Sequence, residues 1–111
     1  AIGRDALRGD GSTAPTGDYS IAIGNYTLDA TTTGHSNAAI GHNTLTSATT
    51  NHSTVAIGHR AMQYADGGEH YSVAVGAYAL NTEASGSDGT VAIGYYALKT
   101  QDGGTGRTCW I

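Results

Sequence analysis

A short motif with a fixed glycine recurs along the chain and restricts its possible folds more than any other feature. The fullest copy, at residues 91–98, is Val-Ala-Ile-Gly-Tyr-Tyr-Ala-Leu. Six copies occur, and their glycines are Gly3, Gly24, Gly41, Gly58, Gly76 and Gly94. Successive glycines are 21, 17, 17, 18 and 18 residues apart, a period typical of solenoid rungs. We therefore predict a repeat protein.

The motif copies also predict the domain organisation. They place rungs near residues 1–7, 20–28, 37–45, 54–62, 72–80 and 90–98, with a partial rung at 108–111. Both ends of the chain interrupt a repeat, and the first residue is not Met. We therefore expect residues 1–111 to be a single repeat segment of a longer repeat protein.

The alternation of residues before each glycine predicts a short β-strand. Val91 and Ile93 share one face of such a strand, and Ala92 points to the other. We expect the large aliphatic residues to fill the interior in two columns, Ile23, Ile40, Ile57, Val75 and Ile93, and Leu28, Leu45, Met62, Leu80 and Leu98. The alanine column is then predicted to point outward, against a neighbouring chain or solvent: Ala22, Ala39, Ala56, Ala74 and Ala92.

The motif glycine is predicted to be a corner. Leu98 follows Ile93 by five residues, so an uninterrupted strand would place the two on opposite faces. A bend at Gly94 would return Leu98 to the same side, and glycine tolerates the required conformation. We predict an all-β fold, a parallel β-solenoid or β-roll of six to seven rungs of 17–21 residues. Each rung would contain a strand, a glycine corner, a second short strand and an outer loop.

The amino-acid composition limits the kinds of partner that the chain can bind. Leu, Ile and Val together number only 16, Phe is absent and the net charge is −4. So small an apolar content cannot build a large core, and the low charge argues against disorder, so we expect a homo-oligomer. Five Lys and Arg form no basic patch for nucleic acid. No apolar run reaches the ~20 residues of a membrane span, so no membrane insertion is expected in this segment.

The motif resembles two families of surface fibres. Its form with Ser or Thr before the strand, at Thr54, Ser72 and Thr90, resembles the head repeats of trimeric autotransporter adhesins. Its full form resembles the AIGxxAL repeats of bacteriophage tail fibre proteins, which fit better because the adhesin repeats are shorter. The resemblance implies a parallel β-roll in a homotrimer that binds host-cell surfaces. It also implies a virion or extracellular, cell-surface location.

Histidine and aspartate positions offer candidate metal sites. His42 and His59 follow motif glycines, and a trimer axis could gather three such imidazoles around a metal. Repetition alone produces this spacing, as it does for the loop histidines, His35, His52 and His70. The four Asp-Gly pairs are typical turn pairs rather than calcium ligands: Asp10-Gly11, Asp66-Gly67, Asp88-Gly89 and Asp102-Gly103. We predict no metal and no cofactor, and we interpret Arg8-Gly9-Asp10 as a chance match to an integrin-binding tripeptide.

The arrangement of the carboxylates does not indicate an enzyme active site. No carboxylate recurs with a His or a nucleophile as an acid/base set, so we assign no catalytic residue. The alternative is a glycan-cleaving depolymerase whose active site combines loops from different rungs.

Tyrosine is the favoured contact residue, with seven copies in a chain that lacks Phe. Tyr26, Tyr78 and Tyr96 are the second residue after a motif glycine, and Tyr19 and Tyr71 lie two residues before a strand. Their amphipathic rings suit packing over a thin core and also binding at a surface. We predict an attachment fibre segment that presents its loops for multivalent binding to a host-cell glycan or protein. The alternative is a purely structural spacer.

Overall fold

The chain forms a β-solenoid of parallel strands. The structure, a computed structural model, describes residues 1–12, 14–17, 19–65, 71–83, 88–101 and 109–111, and these contain no helix. One six-stranded parallel sheet is built in the order β1 (Ile21–Ile23), β2 (Ala38–Ile40), β3 (Val55–Ile57), β5 (Val73–Val75), β7 (Val91–Ile93) and β9 (Cys109–Trp110). The predicted all-β, parallel solenoid is confirmed.

A second parallel sheet is shorter. It is built from β4 (Tyr64–Ala65), β6 (Thr82–Glu83) and β8 (Thr100–Gln101). The predicted second short strand is present in these three rungs, where it begins six residues after the motif glycine, because the residues directly after the glycine form a turn. The second and fourth residues after the glycine have positive φ, for example 60° at Tyr78 and 48° at Leu80. Such left-handed residues interrupt an extended strand.

The strands of the larger sheet pair in register although the repeats differ in length. Ala22 pairs with Ala39, and the same position pairs through every described rung up to Ala92. An isolated bridge between Ile2 and Ile23 joins the first motif copy to the stack. Differences in repeat length therefore lie in the connections and not in the strands.

Every motif glycine has a backbone conformation that disfavours a side chain, and at all of them except Gly94 the next rung also leaves no space for one. The six glycines have φ between 128° and 137°, a region that L-residues rarely adopt. A Cβ atom at Gly41 would lie 2.5 Å from the carbonyl oxygen of Gly58, and one at Gly58 would lie 2.6 Å from the carbonyl carbon of Gly76. Successive rungs therefore approach each other backbone to backbone at this corner.

Hydrogen bonds between rungs continue from the strands through the turn. Gly58 donates its N–H to the Ile40 carbonyl at 2.8 Å, and Arg60 donates to the His42 carbonyl at 2.9 Å. Two residues later the direction changes, since Met62 donates to the Ala79 carbonyl of the following rung at 3.0 Å. These bonds hold the left-handed residues in place, since a buried backbone group without a partner is costly.

The interior is thin and is lined by alanine on one side. All five residues of the alanine column are 0% exposed, whereas Ile23, Ile40, Ile57 and Ile93 are 37–39% exposed. The predicted interior position of the Val and Ile column was therefore wrong, and the predicted outward alanine column was wrong with it. The leucine column is inside as predicted, because Leu28, Leu45, Met62 and Leu80 are fully buried and Leu98 is partly buried.

The turn explains this inversion. It folds the leucine column back against the sheet, and the gap left between them is filled by alanine side chains. Because protein interiors are close-packed, a larger residue on the inner face would overfill the rung. Side-chain volume therefore decides which strand face is inside, and Val and Ile occupy the face that points away from the core.

The corner geometry predicts that the same substitution costs much more stability at one glycine than at another. Gly58→Ala should destabilise the fold by more than about 4 kcal/mol, since its Cβ collides with the next rung. Gly11 also has positive φ, 84°, but a Cβ there meets no atom within 4 Å. Gly11→Ala should therefore cost only the left-handed strain of about 1–2 kcal/mol. Equal thermal melting temperatures for the two variants would contradict the corner.

The thin interior predicts a second contrast between neighbouring residues of one strand. Ala39→Val should destabilise the fold by about 1–3 kcal/mol, because Ala39 points into the filled interior. Ala38→Val should change stability by less than about 0.5 kcal/mol, since Ala38 shares the outer face with Ile21 and Val55. Urea denaturation of both variants measures the difference. A greater loss in Ala38→Val would mean that the two faces have been assigned the wrong way round.

Candidate functional site

Two outward surfaces run along the solenoid, and the first is purely apolar. We call it the apolar face. It consists of the outward residues of β1, β2, β3, β5 and β7, which are Ile21, Ile23, Ala38, Ile40, Val55, Ile57, Val73, Val75, Val91 and Ile93. At the usual strand spacing these five strands cover about 19 Å along the stack. Monomeric soluble proteins seldom expose a continuous apolar surface of this kind, and such surfaces mark binding sites.

The second surface is a row of aromatic rings, one from each of five rungs. We call it the aromatic stripe, and its members are Tyr26, His42, His59, Tyr78 and Tyr96. Successive ring centroids are 6.1, 5.5, 5.3 and 4.9 Å apart along the row. Edge-to-face and stacked contacts alternate, both of which are favourable aromatic geometries. The stripe is thus continuous over all five rungs.

Backbone pairing explains why the His59 and Tyr78 rings meet. The second residue after one glycine hydrogen-bonds to the first residue after the preceding glycine, as from Tyr78 N–H to the His59 carbonyl at 2.9 Å. A histidine at the first position and a tyrosine at the second position can therefore touch. Of the predicted contact residues, Tyr26, Tyr78 and Tyr96 are brought together on this surface. His42 and His59, which sequence reasoning assigned to a separate column, complete it.

Three cations lie over the stripe. The Arg4 guanidinium carbon is 5.4 Å from the Tyr26 ring centroid, and that of Arg60 is 5.7 Å from the Tyr78 centroid. Lys99 Nζ is 4.8 Å from the Tyr96 centroid, within the range of a cation–π interaction. Sequence reasoning missed these cations. Arg60 and Lys99 follow a motif glycine by two and five residues. Their closeness in sequence to the glycines that precede the ring residues could have indicated that they lie near the rings.

Arg60 is held firmly in this surface. Its Nη1 donates to Tyr78 Oη at 3.4 Å, and its Nε is buried with no hydrogen-bond partner in the described part of the chain. The charge of Arg60 therefore lies beside the rings rather than extended into solvent.

Tyr95 adds an exposed ring at one end of the stripe. The Tyr95 side chain is 75% exposed, and its ring meets Tyr96 edge to face at 4.4 Å. A side-chain hydrogen bond with Tyr96 raises the pKa of the Tyr95 phenol above its ordinary value.

Tyr19 and Tyr71 lie on a different part of the rung. Both are strongly exposed, and Tyr19 borders a shallow cavity of about 300 Å³ together with His35 and Ser36. His35 stacks on His52 with the ring centroids 4.1 Å apart. This cavity has no carboxylate, Lys or Arg among the described residues of its lining and shares no residue with the aromatic stripe.

The described residues contain no cluster of side chains suited to metal binding. No three His, Cys, Asp or Glu side chains come together there to hold a metal ion. His70, Asp66-Gly67 and Asp102-Gly103 lie outside the described residues. Asp10 Oδ1 accepts hydrogen bonds from the backbone and hydroxyl of Ser12, both at 2.9 Å, as in a turn. Arg8 is paired with Asp29 at 2.9 Å.

Comparisons with known proteins identify no relative. No protein-family model, curated protein or solved structure matches the chain. The described residues also include no helix of the length and apolarity needed to cross a bilayer. The two outward surfaces are therefore the features from which a function can be inferred.

The pKa shift of Tyr95 provides a test of the geometry at the end of the stripe. Tyr96→Phe removes the hydroxyl that hydrogen-bonds to Tyr95, so the pKa of Tyr95 should fall toward its ordinary value. Tyr64→Phe, on the other sheet, should leave the Tyr95 pKa unchanged. Titration of the tyrosine ring carbons by NMR measures both. An unchanged Tyr95 pKa in Tyr96→Phe would show that the two hydroxyls do not interact.

Proposed function

We propose that this chain is a segment of a homotrimeric attachment fibre, of the kind carried by phage tails or bacterial surfaces. In this proposal six to seven rungs of 17–21 residues form each chain, and three chains pack through their apolar faces. The trimer displays its remaining surface outside the cell, on a virion or a cell surface, and attaches to host-cell glycan or protein. The exposed apolar face is the observation that carries the proposal.

A second copy of the chain is the partner that fits the apolar face best. The face repeats at the strand spacing because its strands pair in register. A partner that buries the whole face needs apolar groups with the same spacing, and another copy has them. If the chains are related by cyclic symmetry about an axis parallel to the stack, their apolar faces match rung by rung and the oligomer is closed. The number of three chains rests on the resemblance to trimeric fibres.

Burial of the apolar face would also supply what the thin core lacks. Apart from alanine, the apolar interior holds only one large side chain per rung, so most Val and Ile side chains contribute little to the stability of a single chain. Their removal from water in an assembly stabilises each rung in proportion to the apolar area buried. Assembly therefore adds to the stability of each folded chain in this proposal.

Attachment in this proposal is multivalent. Three chains present the same outward residues, and the rungs repeat them along each chain. Several weak contacts that form at once can exceed the affinity of any one contact by orders of magnitude, about 10²–10⁴. No single deep pocket is required.

The proposal predicts that a charge on the apolar face disrupts the assembly. The native segment should sediment as a trimer at micromolar concentration, and Ile57→Lys should sediment as a folded monomer, since burial of an unpaired ammonium group is unfavourable. Tyr64→Lys is the matched control, because Tyr64 is also exposed, at 51%, but lies on the smaller sheet. A native segment that stays a stable monomer, or an Ile57→Lys variant that stays a trimer, would contradict the proposal.

Cell binding separates attachment from the alternatives. Fluorescently labelled trimer should bind to some members of a panel of bacterial cells, and the Ile57→Lys monomer should bind more weakly through loss of avidity. A trimer that binds no cells would support a purely structural spacer. Release of new reducing ends from bound polysaccharide would support a depolymerase.

A further inference from the structure

We propose that the aromatic stripe is the attachment surface and that its ligand is a linear acidic polysaccharide. Sugar rings would pack along the stripe, and their carboxylate or sulfate groups would pair with Arg4, Arg60 and Lys99. This inference rests on the proposed attachment function and assigns it a site and a ligand class. It places recognition mainly on the residues after the motif glycines and not on the loops between rungs.

The distribution of charge favours an anionic ligand. The chain has a net charge of −4, yet three of its five Lys and Arg residues lie over rings of the stripe. The only ion pair that these three cations make within the described residues joins Arg4 to Asp5 at 3.7 Å. An anionic ligand would give Arg60 and Lys99 charge-assisted hydrogen bonds, which are stronger than neutral ones.

The aromatic groups favour a sugar. A pyranose ring has an apolar C–H surface and polar hydroxyls at its rim, and a tyrosine has an apolar ring and a polar hydroxyl. Tyr95 offers a strongly exposed ring at the end of this surface, and Tyr96 beside it has Lys99 over its face. This end of the stripe can stack a sugar ring and pair its acidic group at the same time.

The length of the stripe favours a polymer. Its five rings continue from rung to rung with centroids 4.9–6.1 Å apart and no interruption. A small ligand would gain from a concave pocket instead, which surrounds most of its surface. A linear chain of repeated units can contact every rung, and its many weak contacts add together.

Two other partners fit less well. Single-stranded nucleic acid carries a charge on every nucleotide and requires a positively charged groove, which three cations on an acidic chain do not provide. A further copy of the chain would place these cations against its own cationic stripe. The apolar face has no charged residue and is the better surface for contact between copies.

The test compares polymers that differ in one property. Biolayer interferometry with immobilised native trimer measures the binding of three linear acidic polysaccharides, polygalacturonate, polysialic acid and chondroitin sulfate. Methyl-esterified polygalacturonate has the same sugars without the charge, and polyphosphate has charge without sugars. At least one acidic polysaccharide should bind, and its binding should be about tenfold tighter than that of either control polymer.

Matched variants locate the site. Lys99→Gln and Arg60→Gln should each weaken the binding of the acidic polysaccharide about tenfold, and Tyr95→Ala should weaken it as well. Arg8→Gln removes the same charge away from the stripe, and Tyr64→Ala removes an exposed tyrosine of the smaller sheet. Both controls should bind within about twofold of the native protein. Each variant is first shown by sedimentation to assemble like the native protein.

Several outcomes would overturn the inference. Failure of all three acidic polysaccharides to bind would reject the ligand class, and equal weakening by Arg8→Gln would indicate unspecific attraction of polyanions. Loss of assembly in the stripe variants would make the stripe a contact between copies. If the native trimer binds cells and the stripe variants bind them equally well, attachment lies elsewhere on the fibre. In that last case the proposed attachment function stands and only the site is wrong.

Discussion

The close approach of successive backbones at the motif glycine is the constraint on which the rest of the structure depends. Gly41 and Gly58 leave no room for a side chain between rungs, and their φ values admit few other residues. The turn that follows is held in a left-handed conformation by hydrogen bonds to both neighbouring rungs. That turn places the leucine column beneath the sheet and limits the interior to alanine opposite it. The Val and Ile side chains are left on the outside.

Sequence patterns predicted the repeat, the parallel all-β fold and the buried leucine column. They failed on the direction of the strand faces, because alternation identifies two faces without identifying the inner one. Hydrophobicity normally resolves that choice, and here the volume of the interior overrides it. The turn was also beyond prediction, since leucine has no intrinsic preference for the positive φ seen at Leu45 and Leu80.

The aromatic stripe was predicted only in part for a related reason. Alignment of the repeats places Tyr78 and His59 at different positions of the motif, so they belong to different columns in the sequence. In the structure the pairing of neighbouring rungs is offset by one residue at the corner, and the rings meet. Contacts between columns depend on backbone geometry that a periodic pattern does not contain.

The in-register pairing of unequal repeats has a consequence for how such a protein can change over evolutionary time. Repeats of 17 and 18 residues stack with the same strand residues opposite each other, so extra residues are accommodated in the connections. Duplication or deletion of a whole rung would lengthen or shorten the stack by about 4.8 Å and preserve its cross-section. Substitution of the first or second residue after a glycine would alter the outer surface of one rung alone. Length and surface chemistry can therefore diverge independently among descendants of one ancestral repeat.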